Sequence, residues 1–221
     1  MVDWSNIQTV LLDMDGTLLD LHYDNHFWRE HVPMRFAEKQ KITIDQAKQE
    51  LAGRYHHRVG TLEWYCVDFW SGELGLDIAE LKEEVAHLVA IHPDVPEFLK
   101  AARTAGKRVA LVTNAHRKSL ALKMRKTGLE SYFDALHSSH DLGLPKENPA
   151  FWIRLQEREP FDPAATLLVD DSLPVLRSAQ AYGIAHLLAV RFPDTRLPEK
   201  DPEEFEAIHS FKDVMGGLPG R

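Results

Sequence analysis

The chain has 221 residues, 44% hydrophobic and 27% charged, with 10 Phe, 5 Tyr and 5 Trp. That much rigid apolar surface excludes a wholly disordered protein, and the length suits one core, or a core carrying a smaller insertion. The formal net charge of −8 argues against polymeric nucleic acid as a partner, but not against a small phosphate ester held where a local cation reverses the field.

In chain order, the first strong segment is a strand over 7–12, IQTVLL, β-branched and apolar on both faces. It stops at DMDGTLLD, where Gly16 marks a turn. Helical periods follow over 25–40, 43–58, 61–72 and 78–90, with Thr43 and Gln46 spaced as a capping box. Leu76, Leu81, Val85, Leu88 and Val89 share one side of the fourth. Beyond them come a helix over 95–105, a strand over 107–112, a helix over 118–127 and a weak strand over 133–137. A helix over 149–157, a strand over 166–169, a helix over 174–182 and a strand over 184–190 complete the alternation. A charged, proline-rich tail ends in a short helix around 203–215. Five strands separated by helices predict an α/β fold, a Rossmann-like three-layer sandwich with a mostly parallel sheet. An inserted helical cap would follow the first strand: 1–20 and 92–221 form the core and 21–91 the cap.

A single cysteine, Cys66, cannot form an intramolecular disulfide; with no CxxC pair it argues for a reducing compartment and against a thiolate zinc site. The N-terminal MVDWSNIQTV lacks the positive charge of a secretory signal, and no apolar run approaches the ~18 residues of a membrane span. The expectation is a cytoplasmic protein without membrane contact, a monomer or small homo-oligomer.

In a parallel sheet of this kind, ligands bind beyond the carboxyl ends of the strands. Those ends carry Asp13 and Asp15, then Thr113 and Asn114, then Asp170, Asp171 and Ser172, with Lys146 in the loop GLPKENP. Several carboxylates in one crevice repel each other unless a cation sits among them. With no Cys or His in the set, the donors are all oxygen, which suits Mg²⁺. The spacing of two puts the Asp13 and Asp15 side chains on one side of extended backbone, so one can attack while the other handles a proton.

Together DMDGTL, Thr113-Asn114, Lys146 and Asp170-Asp171-Ser172 resemble, in order and spacing, the four motifs of the haloacid dehalogenase superfamily in its phosphatase form. The wider phrases TVLLDMDGTLLDLHYDNHFW, GTLEWYCVDFW, LVTNAHRKSLALK and YGIAH resemble the bacterial GMP/IMP nucleotidase family. The resemblance implies a Mg²⁺-dependent phosphomonoesterase that forms an aspartyl-phosphate and acts on a purine 5′-nucleotide. By the same resemblance Asp13 is the nucleophile and a metal ligand, and Asp15 is the general acid and base and a ligand through its carbonyl. Thr113 and Asn114 hold the phosphoryl group, Lys146 neutralises charge, and Asp170 and Asp171 are both candidates for the metal. The rivals are a sugar-phosphate or phosphoglycolate phosphatase, and a non-catalytic nucleotide-binding protein.

Specificity is expected in the cap. Tyr23, Asn25, Phe27, Trp28, Arg54 and Tyr65 are the candidates to face the cleft, set against the simpler reading, preferred for most, that the aromatics hold the helices together. His116 and Arg117 follow the second motif and are weighed as phosphate or base contacts. His140 and Asp141 read as loop residues, Cys66 as cap core, and His56-His57 as helix surface.

Overall fold

A computed structural model describes residues 2–218. Strand β1 (Thr9–Leu12) is buried at every position. Its alternate side chains feed two different cores: Val10 and Leu12 lie in one, Leu11 in the other. Strands β2 (Arg108–Thr113) and β4 (Thr166–Asp170), which pair with it on either side, repeat this division. A strand covered on both faces needs apolar residues at consecutive positions, which is why these runs do not alternate with polar ones. With β3 (Ala135–Ser138), β5 (His186–Val190) and β6 (Ala207–Ile208) they form a six-stranded parallel sheet, order β3-β2-β1-β4-β5-β6.

Between β1 and β2 run α1 (His22–His26), α2 (Val32–Gln40), α3 (Ile44–His56), α4 (Val67–Leu74), α5 (Ile78–Glu84) and, back against the sheet, α6 (Val95–Thr104). A π-helical turn, Phe27–His31, joins α1 to α2. The capping box at Thr43 and Gln46 forms as the sequence predicts and starts α3. The helix expected over 61–72 is instead broken at Cys66, which caps α4 after a 3-10 turn at Glu63–Tyr65. The helices from α1 to α5 have their own core of Tyr23, Phe27, Phe36, Leu51, Trp70 and Leu81, to which the later helix α7 (Arg117–Thr127) adds Leu122.

The remaining helices are α8 (Ser139–Leu142), α9 (Pro149–Arg158), α10 (Leu173–Tyr182) and α11 (Lys212–Met215). Helices α6, α7 and α11 cover one face of the sheet, α9 and α10 the other. The tail departs from expectation. Phe205, Ile208, Phe211 and Val214 recur every third residue, which mimics a helical stripe. All four are buried, yet only the last turn is helical; Ala207–Ile208 pairs with β5 as a sixth strand. Position 139–142, expected as loop, is the one-turn helix α8, capped by the Ser138 hydroxyl.

Phe98 on α6 is fully buried between Trp4 and Phe211, with ring centroids 6.1 and 4.6 Å away. Phe98→Ala is expected to destabilise the protein by about 3–5 kcal/mol, read as a lower urea midpoint; an unchanged midpoint would show that this face of the sheet does not limit stability.

Candidate active site

The carboxyl end of β1 delivers Asp13, whose N–H extends the ladder to Val169 O at 3.0 Å. Gly16 then turns the chain with φ +83°, and a Cβ there would lie 2.8 Å from Asp171 Cγ. Glycine at 16 thus allows two ligand-bearing loops to touch. Strand β4 delivers Asp170, whose Oδ1 accepts from Ser172 N at 2.9 Å. Strand β2 delivers Thr113 and Asn114, both buried. The Thr113 hydroxyl accepts from Ala115 N, and Asn114 Oδ1 accepts from Lys146 N at 2.9 Å, fixing the loop that carries Lys146.

All seven residues expected from the sequence line one cavity of about 450 Å³. Lys146 Nζ uses its three donors on Asp13 Oδ1 at 2.6 Å, Asp170 Oδ2 at 2.7 Å and Val112 O at 3.0 Å. Asp13, Asp170 and Asp171 each bring a carboxylate oxygen within 4.8 Å of the others. Burial pushes Asp13 up to about 6 against the pull of Lys146, and it raises Asp170 and, most strongly, Asp171. The oxygens are hard, close and short of positive charge, and so fit a divalent cation.

A second buried network abuts the first. Lys123 Nζ lies 2.6 Å from Asp15 Oδ1 and 2.6 Å from Asp24 Oδ2, and Lys82 Nζ 3.0 Å from Asp24 Oδ1. Although burial opposes it, Lys123 and Lys82 hold Asp24 down to about 2. Burial pushes Asp15 up to about 6, with Asp24 and Asp13 adding to the rise against Lys123. Five carboxyl groups therefore meet three buried ammoniums, a formal excess of two negative charges when all five are ionised. Lys200 is partly exposed and reaches Asp171 Oδ2 only at 3.9 Å. Sequence reasoning missed Asp24, Lys82 and Lys123. The signal was present in part: Lys82 lies four residues after buried Ile78, and Lys123 three after buried Leu120, so both fall on apolar helix faces.

The helices between β1 and β2 supply the rest of the wall: Asn25, Trp28, Arg29, Tyr55, Trp64 and Tyr65. The Trp28, Tyr55 and Trp64 rings meet edge to face at 5.7–5.8 Å. The Tyr55 hydroxyl is buried without a hydrogen-bond partner among the described residues. Tyr65 donates to Glu147 Oε1, and Asn114 Nδ2 donates to Glu147 Oε2 at 3.0 Å, so Glu147 ties the helices to the sheet. Of the expected cleft residues, Asn25, Trp28 and Tyr65 reach the cavity. Tyr23 and Phe27 do not: both are buried among the helices, and the Tyr23 hydroxyl donates to Lys82 O. Arg54 is held outside by Glu50 and Glu73. His116 lines the cavity, whereas Arg117 pairs with Asp141 away from it. Cys66 is only half-buried, and His56 and His57 are exposed.

No helix among the described residues is long and apolar enough to cross a membrane. Residues 7–183 match the model of a family described as haloacid dehalogenase-like hydrolase. A GMP/IMP nucleotidase of Escherichia coli K12 is 38% identical over 217 residues, covering 98% of each chain. A phosphoglycolate phosphatase of Nitrosospira multiformis is 35% identical over 197 residues, 84% of each. Among solved structures, a phosphatase of this superfamily from Thermococcus onnurineus superposes with a TM-score of 0.82 at 24% identity, over 97% of this chain and 99% of that one. A match across most of the chain, with the motif residues gathered in one cavity, makes this protein a member of the haloacid dehalogenase-like hydrolase family.

Proposed function

We propose that the protein is a Mg²⁺-dependent phosphatase of the cytoplasm that hydrolyses purine 5′-nucleotides, IMP or GMP, through a phosphorylated Asp13. The observation that carries this reading is the convergence of Asp13, Asp15, Lys146, Asp170 and Asp171 on one cavity, where the carboxylates outnumber the buried ammonium. Mg²⁺, held by Asp13, the Asp15 carbonyl and Asp171 or Asp170, would neutralise the approaching phosphate and the developing charge. Asp13 attacks phosphorus as the ester P–O bond breaks, and the Asp15 carboxylic acid gives its proton to the leaving oxygen. Water then attacks the acyl phosphate, Asp15 takes its proton, and inorganic phosphate leaves with Asp13 regenerated. An Asp15 raised to about 6 holds that proton more readily than an ordinary carboxyl does. Thr113 and Asn114 orient the phosphoryl oxygens, while Lys146 holds Asp13 in place.

The substrate assignment rests on the 38% identity to the nucleotidase and on the aromatic wall of Trp28, Tyr55, Trp64 and Tyr65, which offers apolar surface for a purine. The volume of about 450 Å³ lies within the usual range for small-molecule sites.

A panel of purine nucleotides, pyrimidine nucleotides, phosphoglycolate and sugar phosphates, assayed with Mg²⁺ for released phosphate, is expected to rank IMP and GMP first. Phosphoglycolate in first place would replace the substrate assignment, and nucleotide binding without turnover would leave only a binding protein. Asp13→Asn should lower turnover at least about 10³-fold; undiminished turnover removes Asp13 as nucleophile.

The raised carboxyls also predict a pH-dependent response to metal. Asp13 and Asp15 sit near 3.8 when unfolded and at about 6 when folded, so the folded state favours their protonated forms. Above pH 6 their ionisation costs stability, and that cost fades as pH falls through 6 towards 3.8. Mg²⁺ at about 100 times its Kd should therefore raise Tm by about 5–10 °C near neutral pH and by clearly less near pH 5, where it competes with protons. An equal shift at both would place the cation elsewhere.

A further inference from the structure

A second cluster of donors lies where the inserted helices meet the sheet. Cys66 caps α4 of the insertion, His116 caps α7 after β2, and His140 sits in α8 after β3. One donor atom of each lies within 4.8 Å of the other two. The positions are 50 and 24 residues apart in sequence, so only the tertiary fold joins them. His140 Nε2 is buried and has no hydrogen-bond partner among the described residues, while the ring meets a hydrogen-bonding group of the Tyr65 backbone. The two imidazoles do not bond each other; they meet edge to face with centroids 4.8 Å apart. Burial keeps both rings in the neutral form that ligates metals. Asp68 Oδ2 stands 3.6 Å from His116 Nε2, a further oxygen at the cluster's edge.

Against the expectation drawn from a single cysteine and no CxxC pair, we propose that Cys66, His116 and His140 bind a zinc ion that clasps the inserted helices to the sheet, beside the phosphate site and chemically distinct from it. One sulfur and two imidazole nitrogens suit Zn²⁺ and not Mg²⁺, whereas the Asp13, Asp170 and Asp171 oxygens have the opposite preference. On binding, the Cys66 thiol gives its proton to solvent, and the fourth position falls to Asp68 or a water. Tetrahedral bonds of about 2.0–2.3 Å set ligand atoms about 3.3–3.8 Å apart, within the 4.8 Å that bounds the separations of the three donors. A shared ion would tie the Cys66 loop to the His116 loop. Tyr65, Cys66's chain neighbour, and His116 both line the substrate cavity, so an occupied site would hold that side of its mouth shut.

The test is a Co²⁺ titration of metal-free, tag-free protein, read by absorbance. One equivalent of Co²⁺ is expected to give a near-ultraviolet sulfur-to-cobalt band that stoichiometric Zn²⁺ abolishes. Asp13→Asn should keep the band, which separates this site from the phosphatase reading. Cys66→Ser should lose it, and His140→Ala should weaken Co²⁺ binding at least about tenfold, with His140→Asn as a shape-conserving second variant. Circular dichroism confirms that each variant is folded. Absence of the band in folded wild type overturns the proposal, as does undiminished, wild-type Co²⁺ affinity in both folded His140 variants, which would mean a lone thiol.

Discussion

The structure turns on the crowding of carboxylates at the carboxyl ends of β1 and β4. Asp13, Asp170 and Asp171 could not share that space, with Asp15 and Asp24 close behind, without compensation. Lys146 and Lys123 supply it by spreading their donors across two acids each, and Lys82 adds a third cation. Buried ion pairs of this sort contribute little net stability, because desolvation offsets their attraction. Their value is positional: Asp13 Oδ1, Asp15 Oδ1, Asp170 Oδ2 and both Asp24 oxygens are held in direction before any ligand arrives, so little reorganisation of them remains. The carboxylate oxygens that these lysines leave without a partner fit a divalent cation.

The same lysines join chemistry to enclosure. Lys82 belongs to α5 of the insertion and Lys123 to α7 of the sheet layer, yet both grip Asp24 at the start of the inserted chain. With Tyr65 and Asn114 meeting on Glu147, the inserted helices are held at two places around the cavity. The inserted helices are thereby fastened to the same charged network that lines the cavity.

Much of this is legible in the amino-acid sequence because the chemistry lies at strand ends. A buried parallel strand is a short apolar run, and the residues at its carboxyl end must face the ligand, so position alone marks Asp13, Thr113 and Asp170. Lys146 is marked by its spacing after the third strand. Lys82 and Lys123 are not, since their partners are 58 to 108 residues away and a lysine on a helix is ordinarily solvated. The inserted helices are hard to read for another reason. Aromatics on a short helix can face a core or a cavity at the same period, and Tyr23 and Phe27 take the core while Trp28 takes the cavity. The tail misleads through its spacing of three, which serves the edge of a sheet instead of a helix.

The inserted chain leaves and returns at one point. Asp20 N bonds Ala90 O and His92 N bonds Leu18 O, both at 2.9 Å, so its two ends lie side by side at a single antiparallel bridge between Leu19 and Ile91. To the sheet, the whole excursion is topologically a tight turn. The register of β1 against β2 and β4 is set below that junction and takes no instruction from the helices above it. Lengthening, shortening or exchanging the excursion would reshape the chamber while the ligand-bearing strand ends kept their places. Such a scaffold can diversify in what it admits without relearning the reaction it performs.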